Sequence, residues 1–225
     1  MKLAAFLVVL AAPVSAQEFS LPAGCDAHLT VQSRSCEVHH YFRCAGDPHG
    51  EQSHVSLSED GLDYIGTIDA EAQWVTSHHI RGEHSEELES NPRDRASFSE
   101  LVATASDDYD FRTTSSEIGE TRYVGRDTLT GKQVVIDGVT LDETSYDITA
   151  YAADGTKMWR SQGNEFISRD WRMFLSGKGT VTTPTDTYDT DGTPVQFIYP
   201  GEPGFLSIKP LFGCGVMMSS FEVTP

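Results

Sequence analysis

Residues 25–44 read CDAHLTVQSRSCEVHHYFRC. A tight turn at Arg34-Ser35, with Ser33 opposite Cys36, sorts this segment into two faces with a period of two. One face collects Cys25, Ala27, Leu29 and Val31 from the first arm, and Cys36, Val38, His40, Phe42 and Cys44 from the second. The other collects His28, Thr30, Gln32, Glu37, His39, Tyr41 and Arg43. Apolar and polar residues separate in this way in a half-buried antiparallel hairpin, so the segment predicts a β protein. Ser-Arg-Ser is not a favoured hairpin turn, which makes the turn the least specified part of the register.

The same register sets the disulfides. Cys25 lies directly opposite Cys44, at bridging distance. Cys36 and Cys44 share one strand, and their separation of about 26 Å is too long to bridge. Cys36 is left with Cys214, the fourth and last cysteine. Four cysteines and no CxxC pair read as two disulfides in an exported chain, not as a zinc site.

Upstream of the hairpin the sequence has the parts of a leader. Lys2 precedes an apolar run from Leu3 to Val14, broken only by Pro13, and Val14-Ser15-Ala16 offers small residues for cleavage. Residues 1–16 are therefore expected to be a signal peptide removed before Gln17, with residues 17–225 forming a single domain in the periplasm or outside the cell. The run is shorter than the roughly 20 apolar residues of a membrane span, and no later stretch approaches that length, so no transmembrane segment is expected. The formal net charge is −18, and removing Lys2 with the leader makes it −19. Such a charge excludes nucleic acid as a partner, because both would repel.

Downstream, short alternating segments predict strands at His54–Ser58, Leu62–Ile68 and Ala72–Ile80, followed by an irregular charged stretch over 81–96. Ser97 reads as an N-cap with Glu100 in the capping-box position. Phe98, Leu101, Val102 and Ala105 then follow helical spacing, predicting one short helix over 98–105. A hairpin is expected between Arg122–Asp127 and Lys132–Asp137 across Thr128-Leu129-Thr130-Gly131. A second joins Thr140–Ala152 to Thr156–Arg160 across Asp154-Gly155. Glu165–Leu175 reads as one strand, with further strands at Thr180–Thr185 and Val195–Tyr199, a hairpin turn at Asp191-Gly192, and the last strands within 205–221. The expected fold is mainly β: one domain of antiparallel strands forming a curved sheet or half-barrel, or a sandwich. A half-barrel is a shape suited to carrying apolar molecules outside the cytoplasm.

The residues that could carry chemistry are unevenly spread. All eight histidines precede residue 85. His28 and His39 fall on the polar face of the hairpin, and His79 and His84 lie near Glu83, Glu86 and Glu87. Such donors could hold zinc or copper, although no HExxH or HxH spacing is present. Arg160, Arg169 and Arg172, beside Trp159 and Trp171, could bind an anion or pair with acids such as Glu165 and Asp170. Nucleophile motifs are absent: there is no GxSxG elbow and no SxxK. Asp186–Gly192 fails as a calcium loop at two ligand positions. The many carboxylates fall in polar turns, where they would be solvated and ionised, which argues against hydrolase chemistry. The sequence therefore predicts an exported, non-catalytic binding or structural protein for a small apolar ligand or a protein partner. The alternative is a metal-binding protein or metalloenzyme using the N-terminal histidines.

Overall fold

The computed structural model describes residues 17–215. The expected leader and the segment 216–225 lie outside the described residues. The chain runs β1 (Cys25–Ser33), β2 (Val38–Cys44), β3 (Gln52–Ser58), β4 (Gly61–Ile68), β5 (Trp74–His79) and β6 (His84–Leu88), then α1 (Phe98–Thr104). It continues through β7 (Ser106–Ser115), β8 (Gly119–Ile136), β9 (Val139–Ala152), β10 (Lys157–Ser168) and β11 (Met173–Thr182), ending with β12 (Thr187–Asp191) and β13 (Pro194–Ile198). All thirteen strands belong to one sheet, ordered β12 down to β1 and then β13. From β1 to β12 it is a plain meander of antiparallel neighbours. It is not a sandwich.

The exception decides the shape. β12 and β13 are the two edges of the sheet, yet only Gly192 and Thr193 separate them in the chain. Two residues span no more than about 10 Å, so the sheet must roll until its edges approach. The link is fixed on both sides: Gly192 N donates to Gly177 O on β11, and Arg34 N, beside β1, donates to Thr193 O. β12 and β13 do not pair with each other, so the roll stays an open half-barrel and not a closed one. The hairpin expected at Asp191-Gly192 is thus replaced by a crossing of the seam. Burial supplies the reason. β12 is exposed along almost its whole length, whereas Phe197 and Ile198 of β13 are buried. Pairing with β12 would have stranded those two side chains at an exposed edge.

The first hairpin keeps its expected start and loses its expected end. Cys25 faces Cys44 and Ala27 faces Phe42, but a bulge at His28 shifts the partners to Leu29–Tyr41, Val31–His39 and Gln32–Val38. The loop becomes Arg34-Ser35-Cys36, closed by Ser33 N donating to Glu37 O, with Cys36 at φ +60°. Beyond the bulge the faces of β1 exchange. Leu29 and Val31 join Tyr41 in the main core with Phe166, Met173 and Phe197. Val38 and Phe42 pack on the other side with Val55 and Leu57, beneath Phe19, Leu21 and Ile208. Both faces are covered, and the polar side of β2 turns inward.

Both disulfides, Cys25–Cys44 and Cys36–Cys214, are formed. Residues 205–215 do not form the expected strands. They pass as turns over the outer face, where Gln32 donates to Lys209 O and accepts from Leu211 N. That pair of bonds explains a fully buried glutamine.

Three further expectations need correction. A strand, β6, lies in the stretch read as irregular. Its apolar alternation is hidden because the buried position is Glu86, which is hydrogen-bonded by Thr113 and Tyr123. The hairpin expected across 128–131 is instead a bulge within the continuous strand β8, with Gly131 at φ +79°. The single strand expected over 165–175 is broken by a turn at 169–172, where Arg172 adopts φ +51°. The helix stands as expected: Ser97 caps it by accepting from Glu100 N, and Phe98 and Leu101 pack against Ala72 and Ile167.

Candidate functional site

The rolled sheet encloses a cavity of about 530 Å³, partly open to solvent. Because successive strands present alternate residues inward, its wall is built from single positions on many strands. Its aromatic surface comes from Tyr41, Tyr64, Trp74, Tyr109, Phe111, Tyr146, Trp159 and Phe174. Two of these rings lie flat because the sheet carries glycine beneath them. A Cβ at Gly125 would sit 2.5 Å from Tyr109 Oη, and one at Gly66 would sit 2.5 Å from Tyr64 Oη. Serines hold the phenol ends: Tyr64 Oη and Ser77 Oγ are 2.8 Å apart, and Tyr146 Oη and Ser161 Oγ 2.9 Å.

The cavity is also acidic. Glu37, Asp127 and Glu165 line it, and among the described residues no lysine or arginine does. Asp127 sits directly across the ladder from Asp107, and both are buried. Ser97 N donates to Asp107. Neither Asp127 nor Glu165 has a hydrogen bond or ion pair to its carboxylate among the described residues. Burial is the largest cause in each case and pushes Asp107 up to about 6, Asp127 to about 7 and Glu165 to about 8, with Asp107 adding to the rise of Asp127 and Asp127 to that of Glu165. These three depart from the reading of carboxylates as solvated turn residues.

Histidines enter the wall as neutral groups. His39 Nδ1 lies 2.8 Å from Ser56 Oγ and its Nε2 3.3 Å from Ser33 Oγ. Burial holds His39 down to about 4, and burial followed by His39 holds His54 to about 3. From His54 a ladder of rings crosses the sheet outward. It runs His54–Tyr64 at 5.2 Å, Tyr64–His79 at 5.1 Å and His79–His84 at 4.4 Å between centroids.

At the end of that ladder the predicted pair does converge. His79, His84 and Glu86 each offer a donor atom, all within 4.8 Å of one another. His79 Nε2 lies 3.5 Å from Glu86 Oε2, and the two imidazoles stack at 13°. Glu83 and Glu87 are not part of this group. His28 and His39 do not form a donor group among the described residues. His28 occupies the bulge with both ring nitrogens buried and unpartnered, and His39 turns into the cavity.

The three arginines are dispersed. Arg160 pairs with Asp147, Arg169 with Asp142, and Arg172 with Glu71. Arg172 also donates to Ala70 O and lies 4.8 Å over the Phe98 ring, tying the 169–172 turn to the helix. Their partners are thus not Glu165 and Asp170, and Glu165 is left facing the cavity.

Among the described residues no helix is long and apolar enough to cross a membrane. The fold and cavity define a rolled, single-sheet β protein with an aromatic, acidic interior. No protein-family model, curated protein or solved structure matches the chain.

Proposed function

We propose that this chain is an exported binding protein that holds a small, largely apolar ligand inside its rolled sheet. The carrying observation is the cavity itself, about 530 Å³ with eight aromatic side chains in its wall, the size and character of a small-molecule site. Two disulfides and the leader-like sequence at residues 1–16 support a periplasmic or extracellular location. Ser33 and Ser56 of the wall lie beside His39, but the aromatic cavity carries the reading, which is binding without turnover. The test is native mass spectrometry and solvent extraction of protein purified from the exported fraction, with titration of the neutral dye 1-N-phenylnaphthylamine. A co-purifying small molecule, or saturable dye binding that it displaces, is expected. An empty protein that leaves the dye dark would overturn the reading, as would turnover of ester, peptide or glycoside substrates that is lost in E165Q.

A second reading rests on the convergence of His79, His84 and Glu86: a zinc or copper ion at the end of the ring ladder. Two imidazoles and a carboxylate are a common donor set for zinc. Thr113 and Tyr123 donate to Glu86 and orient it. Calorimetric titration with each metal should give one site that H84A weakens at least tenfold, roughly 1.4 kcal/mol. Equal affinity in wild type and H84A would remove it.

A further inference from the structure

We infer that the cavity takes an organic cation, its ammonium group seated at Asp127 and Glu165 and its apolar body against the aromatic wall. The inference deepens the binding-protein reading above and rests on it.

Asp127 is the first reason. It is only 7% exposed, it lines the cavity, and no donor among the described residues reaches its carboxylate. Burying an unpaired carboxylate is costly, and a fold normally supplies a partner. Here the nearest groups make matters worse: Asp107 lies directly opposite on β7, and Glu165 faces the same space from β10. The cations of these strands point elsewhere. Arg126, next to Asp127 in sequence, turns to the opposite face and pairs with Asp108. Arg160 likewise pairs with Asp147. Alternation along β8 thus places the positive residue outward and the negative one inward.

The rest of the wall suits a cation with an organic body. Tyr146 sits directly across from Asp127, and Tyr109 and Trp159 complete the surroundings. Their ring faces attract a cation more weakly than carboxylates do, but without favouring water. A bare metal ion fits less well. Among the described residues, the donors of Asp107, Asp127 and Glu165 do not gather within 4.8 Å as those of His79, His84 and Glu86 do. A bulky ammonium can bridge more widely spaced acids. It would also reverse the upward displacement of both carboxyls that burial causes.

The experiment uses the oxidised protein and sets of ligands that differ only in charge. Three bodies, phenylethyl, indolylethyl and octyl, are each presented as the primary amine, a neutral isostere and the matching carboxylate. Binding is followed by calorimetry and by quenching of Trp74 and Trp159, which line the cavity. At least one body should bind as the amine at least about tenfold more tightly than as the neutral form, with the carboxylate weakest. D127N and E165Q should each reduce amine affinity at least about tenfold while leaving the neutral form within about twofold. Neutral forms that match the amines in wild type would overturn the charge assignment and leave the apolar-binding reading standing. Failure of every ligand and of phenylnaphthylamine would overturn both. The wild-type series decides the question even if a variant does not fold.

Discussion

At the scale of single residues, the interior holds two sets of groups with opposite demands on pH. Burial is the main cause in each case. It holds His28, His39 and His40 down to about 4 and His54 to about 3. These rings stay neutral in the fold and take up protons on unfolding below about pH 6.5. Their contribution to stability is complete above that value and is lost as pH falls towards 4. Asp127 and Glu165, raised to about 7 and about 8, behave in reverse. The fold keeps their protons while the unfolded chain releases them near pH 4. Their contribution is complete below that value and disappears as pH rises through 7 and 8. Stability should therefore peak near pH 6.5 and decline by pH 8.5, at no more than about 1.4 kcal/mol per pH unit for each proton released. Thermal melts across that range test this; E165Q should flatten the decline, and a flat wild-type profile would refute it. His79, His84 and Glu86 were legible in the sequence because they lie close together along one segment. Asp127 and Glu165 were not. A sequence assigns an acid in an alternating strand to the solvent side, and only the roll of the sheet turns that side inward.

At the scale of elements, local signals were read well where one short segment settles the structure. The Ser97 cap and the Asp154-Gly155 turn lie within a few residues of their causes, and the Cys25–Cys44 pairing within a single hairpin. Two of the departures fall at bulges. The bulge at His28 inserts one residue into its ladder and that around Gly131 inserts two, and the sequence does not distinguish inserted residues from a turn. The bulge at His28 matters most, since it sends Leu29 and Val31 to the inner core. Close ring packing on β7 and β8 gives a direct test. Tyr109 is buried over Gly125, with Cε2 and Oη both 2.5 Å from where a Cβ would stand. Gly125→Ala should cost about 1–3 kcal/mol in denaturant unfolding. The cost should shrink in a Tyr109→Ala background, because the three atoms nearest the added Cβ all belong to that ring. Equal costs in both backgrounds would mean that the glycine serves some other purpose.

At the scale of the whole molecule, the roll was the least legible property. It depends on β13 pairing with β1, a contact between residues 30–33 and 194–198 that no local pattern announces. The Cys36–Cys214 bridge works at the same range, closing 178 residues of sequence, whereas Cys25–Cys44 closes 19. In the chain-entropy model these are worth on the order of 5 and 3 kcal/mol. Replacing Cys36 and Cys214 by serine should therefore destabilise more than replacing Cys25 and Cys44, as measured by urea midpoints. The longer bridge has a mechanical consequence as well. Tension applied between Gln17 and Gly215 would run along residues 17–36, β1 included, and then cross from Cys36 to Cys214, bypassing the chain between them. With both bridges intact, the chain could lengthen by no more than about 60 Å; after reduction, about 700 Å of contour becomes available. Pulled from its ends in an optical trap, the oxidised protein should behave as a short tether that gives way only along residues 17–36, where β1 is stripped from β2 and β13.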